Sequence, residues 1–170
     1  MPRDLDAGRV LAILEAHGVD FVLIGGFAGI YHGSPFPTQD IDITPDSLRD
    51  NLNRLSTALT ELSARITTAD VPEGLPFSHT GESLGAAGIW NLTTDAGELD
   101  ISLVPSGTQG FDDLSRDAEA ATIYGVTIRI ASLADIIRSK QAANRPKDQR
   151  VLPTLRELLA AQPPRRRGAK

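Results

Sequence analysis

Apolar residues recur along this chain with two different spacings, and segments of the two kinds alternate. Apolar residues that recur every three or four positions are typical of amphipathic helices. Such helices are predicted over residues 4–17, 27–32, 47–65, 111–118, 132–144 and 146–160. Short apolar runs and strict alternation predict strands over residues 21–24, 38–44, 89–94, 98–104, 122–124 and 126–130. This alternation predicts a single α/β or α+β domain over residues 1–161, with a mixed sheet flanked by helices.

Two segments have neither spacing. Residues 71–87 are rich in Gly, Pro and Ser, and we expect a loop there that borders a functional site. Residues 162–170 combine Pro, Arg and Lys, and we expect a disordered basic tail. No apolar run approaches the roughly 20 residues that a membrane span needs, and the acidic N-terminus lacks the apolar block of a signal peptide. We therefore expect a cytoplasmic protein without a membrane partner.

Charge is distributed unevenly along the 170 residues. Residues 1–137 hold 7 Lys/Arg and 20 Asp/Glu, a balance of −13, whereas residues 138–170 hold 10 Lys/Arg and 2 Asp/Glu, a balance of +8. This division suits divalent metals in one place and phosphates in another, although a solvated basic helix and tail would give the same balance. The chain has no cysteine, which excludes disulfides and thiolate metal sites.

Asp40 and Asp42 stand two residues apart on the predicted strand 38–44. Residues at this spacing share one face of a strand, so both carboxylates point the same way, while Ile41 and Ile43 point the other way. Adjacent carboxylates in a partly buried place repel each other and lose hydration, and a divalent cation relieves both costs. Such hard oxygen ligands suit Mg²⁺ or Mn²⁺. The pattern favours a metal site over an exposed edge strand with two solvated acids.

Two further features are compatible with phosphate chemistry. Gly25-Gly26 follows a buried strand and precedes a helix, where backbone N–H groups can approach a phosphate, although an ordinary tight turn would have the same sequence. Asp100 lies on a later predicted strand, with apolar neighbours on the opposite face. An adjacent strand would place it beside the first two aspartates, whereas on an isolated hairpin it would be a surface acid.

Together these features resemble the nucleotidyltransferase superfamily, whose core combines a Gly-Gly or Gly-Ser turn, a spacer, an Asp-x-Asp strand and an Asp on a later strand. Here 13 residues, 27–39, separate Gly26 from Asp40, within the usual range. The resemblance covers most of the chain and is greatest to the AbiEii/MenT-type toxins of bacterial toxin–antitoxin systems. It implies a nucleotidyltransferase-like sheet with a C-terminal helical extension. Many of these enzymes carry Ser at the position of Gly26, so this chain lacks a hydroxyl that can meet a phosphate.

The resemblance also assigns residues beyond the core. In these toxins a Lys on a later helix and an Asp after it complete the site, and Lys140 and Asp148 occupy those places. Ile136 and Ile137 precede Lys140 by four and three residues, so Lys140 shares their buried helix face and can extend its ammonium into a cleft. Asp148 is predicted either to orient Lys140 or to cap its own helix.

Three more basic residues lie near Lys140 in the sequence. Arg145 and Lys147 are secondary candidates for phosphate binding, and Arg138 lies off the buried face, so we expect it to face solvent.

What the resemblance implies is transfer of a nucleoside monophosphate from an NTP such as ATP to a hydroxyl. The expected Mg²⁺ or Mn²⁺ ligands are Asp40, Asp42 and Asp100, of which Asp100 either joins the second metal or accepts the proton of the acceptor. Lys140 completes the catalytic set. The nucleotide is expected to bind at Gly25, Gly26, Lys140, Arg145 and Asp148. The expected acceptor is RNA, at the tRNA 3′ end, with a cognate antitoxin as a further partner; a protein, an antibiotic, or a non-catalytic nucleotide-binding role are the alternatives.

Overall fold

The computed structural model describes residues 4–163. Their helices are α1 Ala7–Ala16, α2 Gly25–Tyr31, α3 Arg49–Glu61, α4 Gly81–Ala87, α5 Phe111–Arg116, α6 Leu133–Ala143 and α7 Pro146–Ala161. Their strands are β1 Phe21–Ile24, β2 Asp40–Pro45, β3 Arg65–Ile66, β4 Ile89–Thr94, β5 Gly97–Ser102, β6 Glu119–Ile123 and β7 Val126–Ile130. The tail predicted to be disordered lies, from residue 164 onward, outside the described residues.

The strands form one mixed sheet in the order β3-β4-β5-β2-β1-β7-β6. The pairs β2–β5 and β1–β7 are parallel, and the other neighbours are antiparallel. The predicted mixed sheet flanked by helices is therefore confirmed. Strand β2 lies between β1 and β5. The Gly25-Gly26 turn, which follows β1, therefore lies at the centre of the sheet beside the two strands that carry the aspartates.

Alternation along the central strands separates the core from the cleft. Ile41 and Ile43 of β2 are fully buried, as are the apolar positions of β5. They belong to one hydrophobic core that also contains the apolar stripe of α3, Leu52, Leu55 and Leu59. Full burial of a leucine contributes about 1.5–3 kcal/mol relative to exposure. This packing fixes the strands, and it leaves their polar side chains on the opposite face.

Apart from shifts of up to three residues in the bounds of other elements, the structure differs from the predicted elements in three places. The predicted loop 71–87 ends in α4, where the Thr80 hydroxyl accepts a hydrogen bond from the Ser83 N–H at 3.1 Å and caps the helix. Predicted helix 47–65 stops at Glu61, and its last residues turn into the short strand β3. Helix α2 begins at Gly25, two residues earlier than predicted. None of the helices within residues 4–163 is both long and apolar enough to cross a membrane.

Candidate active site

A cleft of about 730 Å³ lies above the centre of the sheet. Its floor comes from β2 and β5, and its walls come from α2, α6, α7 and the segment that follows β5. Seven of the eight residues assigned from the sequence line this cleft: Gly25, Gly26, Asp40, Asp42, Asp100, Lys140 and Arg145. The eighth, Asp148, lies fully buried behind the wall.

Strand pairing places the predicted carboxylates side by side. Asp42 lies directly opposite Asp100 in the parallel β2–β5 pair, and Asp40 lies opposite Glu98. Partners in register share a face of the sheet, so all four acids point to the same side. Glu98 is the member that was not assigned from the sequence, because its place beside Asp40 depends on the register of two strands that are distant in the chain.

The floor acids hold their charge at a cost. Burial, followed by repulsion from Asp40, raises the pKa of Asp42 to about 6. Burial, followed by repulsion from Asp42, Asp40 and Glu98, raises the pKa of Asp100 to about 7. A bound cation would oppose both shifts, since a positive charge favours the ionised carboxylates.

The donor set of the floor fits a magnesium-class ion that binds together with phosphates. Within residues 4–163 no group of three or more His, Asp or Glu side chains is already arranged as a metal shell. Mg²⁺ in phosphate-transferring sites is held by one or two carboxylates, with water and substrate phosphates completing its shell. Asp40, Asp42 and Asp100 supply carboxylate oxygens of this kind in an open cleft.

The turn at Gly25-Gly26 brings backbone against the floor. Ile24, the last residue of β1, pairs with Asp42, so the chain turns directly over this aspartate. Gly25 has φ +70°, and a Cβ at this position would collide with the Asp42 carboxylate. A Cβ on Gly26 would lie 3.1 Å from Oγ1 of Thr38, which also lines the cleft. Gly25 therefore allows a close approach that a larger residue would block, whereas a side chain at Gly26 would require only a small shift of Thr38.

Asp148 organises the cations of the helical wall. Its carboxylate accepts hydrogen bonds from Arg145, from the backbone N–H at 3.1 Å, from Nε at 2.7 Å and from Nη2 at 3.2 Å. Lys140 Nζ lies 3.6 Å from the same carboxylate. Burial acts to raise the pKa of Asp148, but the hydrogen bonds and positive charges outweigh it and lower the pKa. Asp148 therefore lies within ion-pair distance of Lys140 and also accepts the N–H at the start of α7, the contacts that its two predicted roles require.

Comparison with known proteins identifies the fold. No family model and no curated protein matches the chain. The lincosamide antibiotic adenylyltransferase LnuA, bound to lincomycin, aligns with a TM-score of 0.59 and 15% identity over 92% of this chain and 99% of its own. The solution structure of the antibiotic-resistance factor ANT(2'')-Ia aligns with a TM-score of 0.52 and 17% identity, over 90% of this chain and 86% of its own. A Thermotoga maritima protein assigned as a nucleotidyltransferase aligns with a TM-score of 0.50 and 19% identity, over 91% and 90% of the two chains.

This chain has the nucleotidyltransferase fold. The floor carboxylates lie on its two central parallel strands, and the cations lie on α6 and on the N-terminal turn of α7. The AbiEii/MenT-type resemblance, which is a finer assignment than the fold, stays a prediction.

Lys147 is a stronger candidate for the cleft of this nucleotidyltransferase fold than the sequence indicated. Its exposed side chain lines the cleft. Against the effects of burial and of the neighbouring acids, the Lys147 charge acts to lower the pKa values of both Asp42 and Asp100. No periodic pattern could have identified it, because its position over the floor depends on how α7 packs against the sheet.

The prediction that Arg138 faces solvent is confirmed in part, because its side chain is 42% exposed. Its Nη2 nevertheless lies 3.0 Å from Asp113 of α5 and 3.2 Å from Asp135 of its own helix. Because Asp113 lies within reach of α6, a residue off the buried face of α6 still finds a partner. Arg138 therefore joins two helices of the fold and is not a neutral surface position.

Proposed function

We propose that this protein is a metal-dependent nucleotidyltransferase, which moves a nucleoside monophosphate from an NTP to a hydroxyl acceptor and releases pyrophosphate. The observation that carries the proposal is the pairing of Asp42 with Asp100 on the cleft floor, facing the cations of α6 and α7 in a chain with the nucleotidyltransferase fold. The carboxylates of the floor suit the metal counter-ions of a triphosphate, and the cations of the wall suit its phosphates. Simple binding of a nucleotide does not require both.

The proposed roles follow from the placement of each side chain. Asp40, Asp42 and Asp100 would hold Mg²⁺ or Mn²⁺, and the metal when bound neutralises phosphate charge and orients the attacking oxygen. Lys140 and Arg145, fixed by Asp148, would contact the triphosphate at the wall. Gly25 and Gly26 would bring backbone N–H groups to the phosphates. These N–H groups would take the place of the Ser hydroxyl that many nucleotidyltransferases have at the position of Gly26.

Proton transfer is the remaining chemical task. A bond forms between the acceptor oxygen and the α-phosphorus, the bond from the α-phosphorus to the pyrophosphate oxygen breaks, and the hydroxyl proton must leave. Asp100 lies on the cleft floor, where it would accept this proton if it is not itself a metal ligand. If Asp100 instead binds the second metal, the proton goes to solvent. The rest of the reaction is mainly positioning and charge neutralisation.

Two classes of acceptor remain candidates. RNA, at the tRNA 3′ end, is supported by the resemblance to nucleotidyltransferase toxins and by the basic residues at the start of α7, Arg145, Lys147 and Arg150. The basic tail would add Arg165, Arg166 and Arg167 to these contacts if it takes part, and these three residues lie outside the described range. A small hydroxyl compound is supported by the fold shared with a lincosamide adenylyltransferase that binds lincomycin.

A labelling experiment tests the activity and separates these acceptors. The protein is incubated with each α-labelled NTP and Mg²⁺, in the presence of total RNA, lincomycin or no added acceptor, and the label is then located. We expect Mg²⁺-dependent label on RNA. Label on lincomycin alone would instead favour a small molecule as the acceptor. Label on the protein itself would indicate a protein-modifying enzyme. If no NTP is bound or turned over under any condition, the protein is not a nucleotidyltransferase.

A further inference from the structure

The three cations that line the cleft differ in how they are held. The side chain of Lys140 is 18% exposed and pairs with buried Asp148, and Arg145 makes three hydrogen bonds to the same carboxylate. Lys147 makes no ion pair with any residue in the described range 4–163. Two cations are therefore fixed in place by one acid, and the third is available to a ligand.

Helix geometry explains why adjacent residues have such different surroundings. Consecutive residues of an α-helix are rotated by about 100° around its axis. Asp148 points into the protein, where it is fully buried, so Lys147 on the same turn must point elsewhere. It borders the cleft, together with Asp42 and Asp100 of the floor.

Lys147 lies on the cleft side of the floor acids. Lys147, Asp42 and Asp100 line one cleft, so the cation and the carboxylates border the same space. A cation that has no ion-pair partner among residues 4–163, beside acids that attract divalent metal, is placed to meet the negative oxygens that such a metal brings with it.

We propose that Lys147 binds the phosphates of the NTP directly above the floor carboxylates, while Asp148 is a positioning residue that holds Lys140 and Arg145 as a fixed wall. This inference rests on the proposed function and deepens it, because it separates a phosphate-binding cation that has no ion pair among residues 4–163 from two cations that share Asp148. A side chain with four rotatable stem bonds suits this role, since its ammonium can follow phosphates whose charge changes as pyrophosphate departs.

A different role for Lys147 would give different measurements. If Lys147 only reduces the repulsion between the floor carboxylates, its charge stabilises them until a divalent cation displaces the lysine. Its removal would then strengthen Mg²⁺ binding and leave the affinity for nucleotide in saturating Mg²⁺ unchanged. If it binds phosphates, its removal weakens nucleotide binding even when Mg²⁺ is saturating.

Calorimetric titration of the full chain with α,β-methylene analogues of the four NTPs, in saturating Mg²⁺, tests the proposal. The variants are Lys147→Met, Lys147→Arg and the control Arg156→Met, an exposed cation further along α7. We expect Lys147→Met to weaken analogue binding at least tenfold, Lys147→Arg to retain most of the affinity, and Arg156→Met to bind like the wild type. Circular dichroism and a Tm measurement confirm that each variant is folded.

The outcomes are distinct. Analogue affinity unchanged in Lys147→Met, with tighter binding of Mg²⁺ alone, would show a screening role and overturn the inference. An equal loss in Arg156→Met would show a general charge effect and would also overturn it. A wild-type protein that binds none of the analogues would overturn the proposed function itself, which is a different result from selective failure of the Lys147 variants.

Discussion

The floor of the cleft and its helical wall carry opposite charges, and they differ in how those charges are balanced. On the floor, burial and then mutual repulsion raise the pKa values of Asp42 and Asp100. On the wall, Lys140 and Arg145 share the buried acid Asp148, whose pKa is lowered because their hydrogen bonds and charges outweigh its burial. The floor lacks a sufficient counter-charge, whereas the wall contains its own.

This difference teaches which half of the site depends on a ligand. Like charges held together in a folded protein cost stability until a cation joins them. An internally paired wall is already in its working arrangement, so binding there requires little reorganisation. Substitutions on the floor should therefore damage activity more than stability, and substitutions at the centre of the wall should do the reverse.

The largest expected effect is on the floor. Asp42→Asn and Asp40→Asn should each lower the rate of nucleotide transfer by on the order of 1000-fold, because a lost metal ligand removes several kcal/mol of charge stabilisation. Their Tm values should not fall, since the amide keeps the size and removes a repelling charge. Turnover of labelled NTP measures the effect, with exposed Asp70→Asn as the control. Normal Mg²⁺-dependent rates in both variants would contradict the assignment.

The next effect is on the wall. Asp148→Ala should lower the free energy of unfolding by about 3 kcal/mol, because it leaves Lys140 and Arg145 without their common partner and opens a buried cavity. Asp148→Asn should lose less, since its amide oxygen still accepts hydrogen bonds from Arg145. Urea denaturation compares the two variants with the wild type. If Asp148→Ala lost activity with no change in stability, as expected for the floor variants, the contrast between the two regions would be removed.

A smaller effect is expected from Lys140 alone. Lys140→Ala should raise the KM for NTP about tenfold, or about 1.4 kcal/mol, because one of several phosphate-binding groups is lost. Exposed Arg156→Ala is the matched control and should have no effect. Arg138→Ala should instead lower the Tm, since it removes the ion pairs with Asp113 and Asp135. A greater rise in KM from Arg138 than from Lys140 would reject the phosphate-binding assignment.

The smallest effect is a pH dependence of the metal-free protein. Asp42 and Asp100 have pKa values of about 6 and about 7 against a usual 3.8, so protonation favours the folded state. Stability should accordingly increase as the pH falls from 8 to 5, and Asp100→Asn should raise the Tm at pH 8 and reduce this slope. Saturating Mg²⁺ should remove the slope as well. A Tm that falls over the same pH range, without metal, would show that the floor is not strained by its charges.

The amino-acid sequence determined much of this protein by itself. Period-two alternation around Asp40 and Asp42 fixed which side of β2 bears the acids, because side chains of a strand alternate regardless of its neighbours. The spacing of Ile136 and Ile137 before Lys140 placed this lysine at the border of the core, because both isoleucines are buried and the helix period is a local property. Both inferences depend only on residues within one turn or one strand.

Only the tertiary structure decided how these pieces meet. The parallel register that sets Asp42 beside Asp100, and Asp40 beside Glu98, joins segments almost 60 residues apart, and no local pattern specifies it. The pairing of Arg138 with α5 and the position of Lys147 over the floor likewise depend on how helices pack. Charges act through space over distances that bear no relation to separation along the chain, so the electrostatic contrast between floor and wall exists only in the folded molecule.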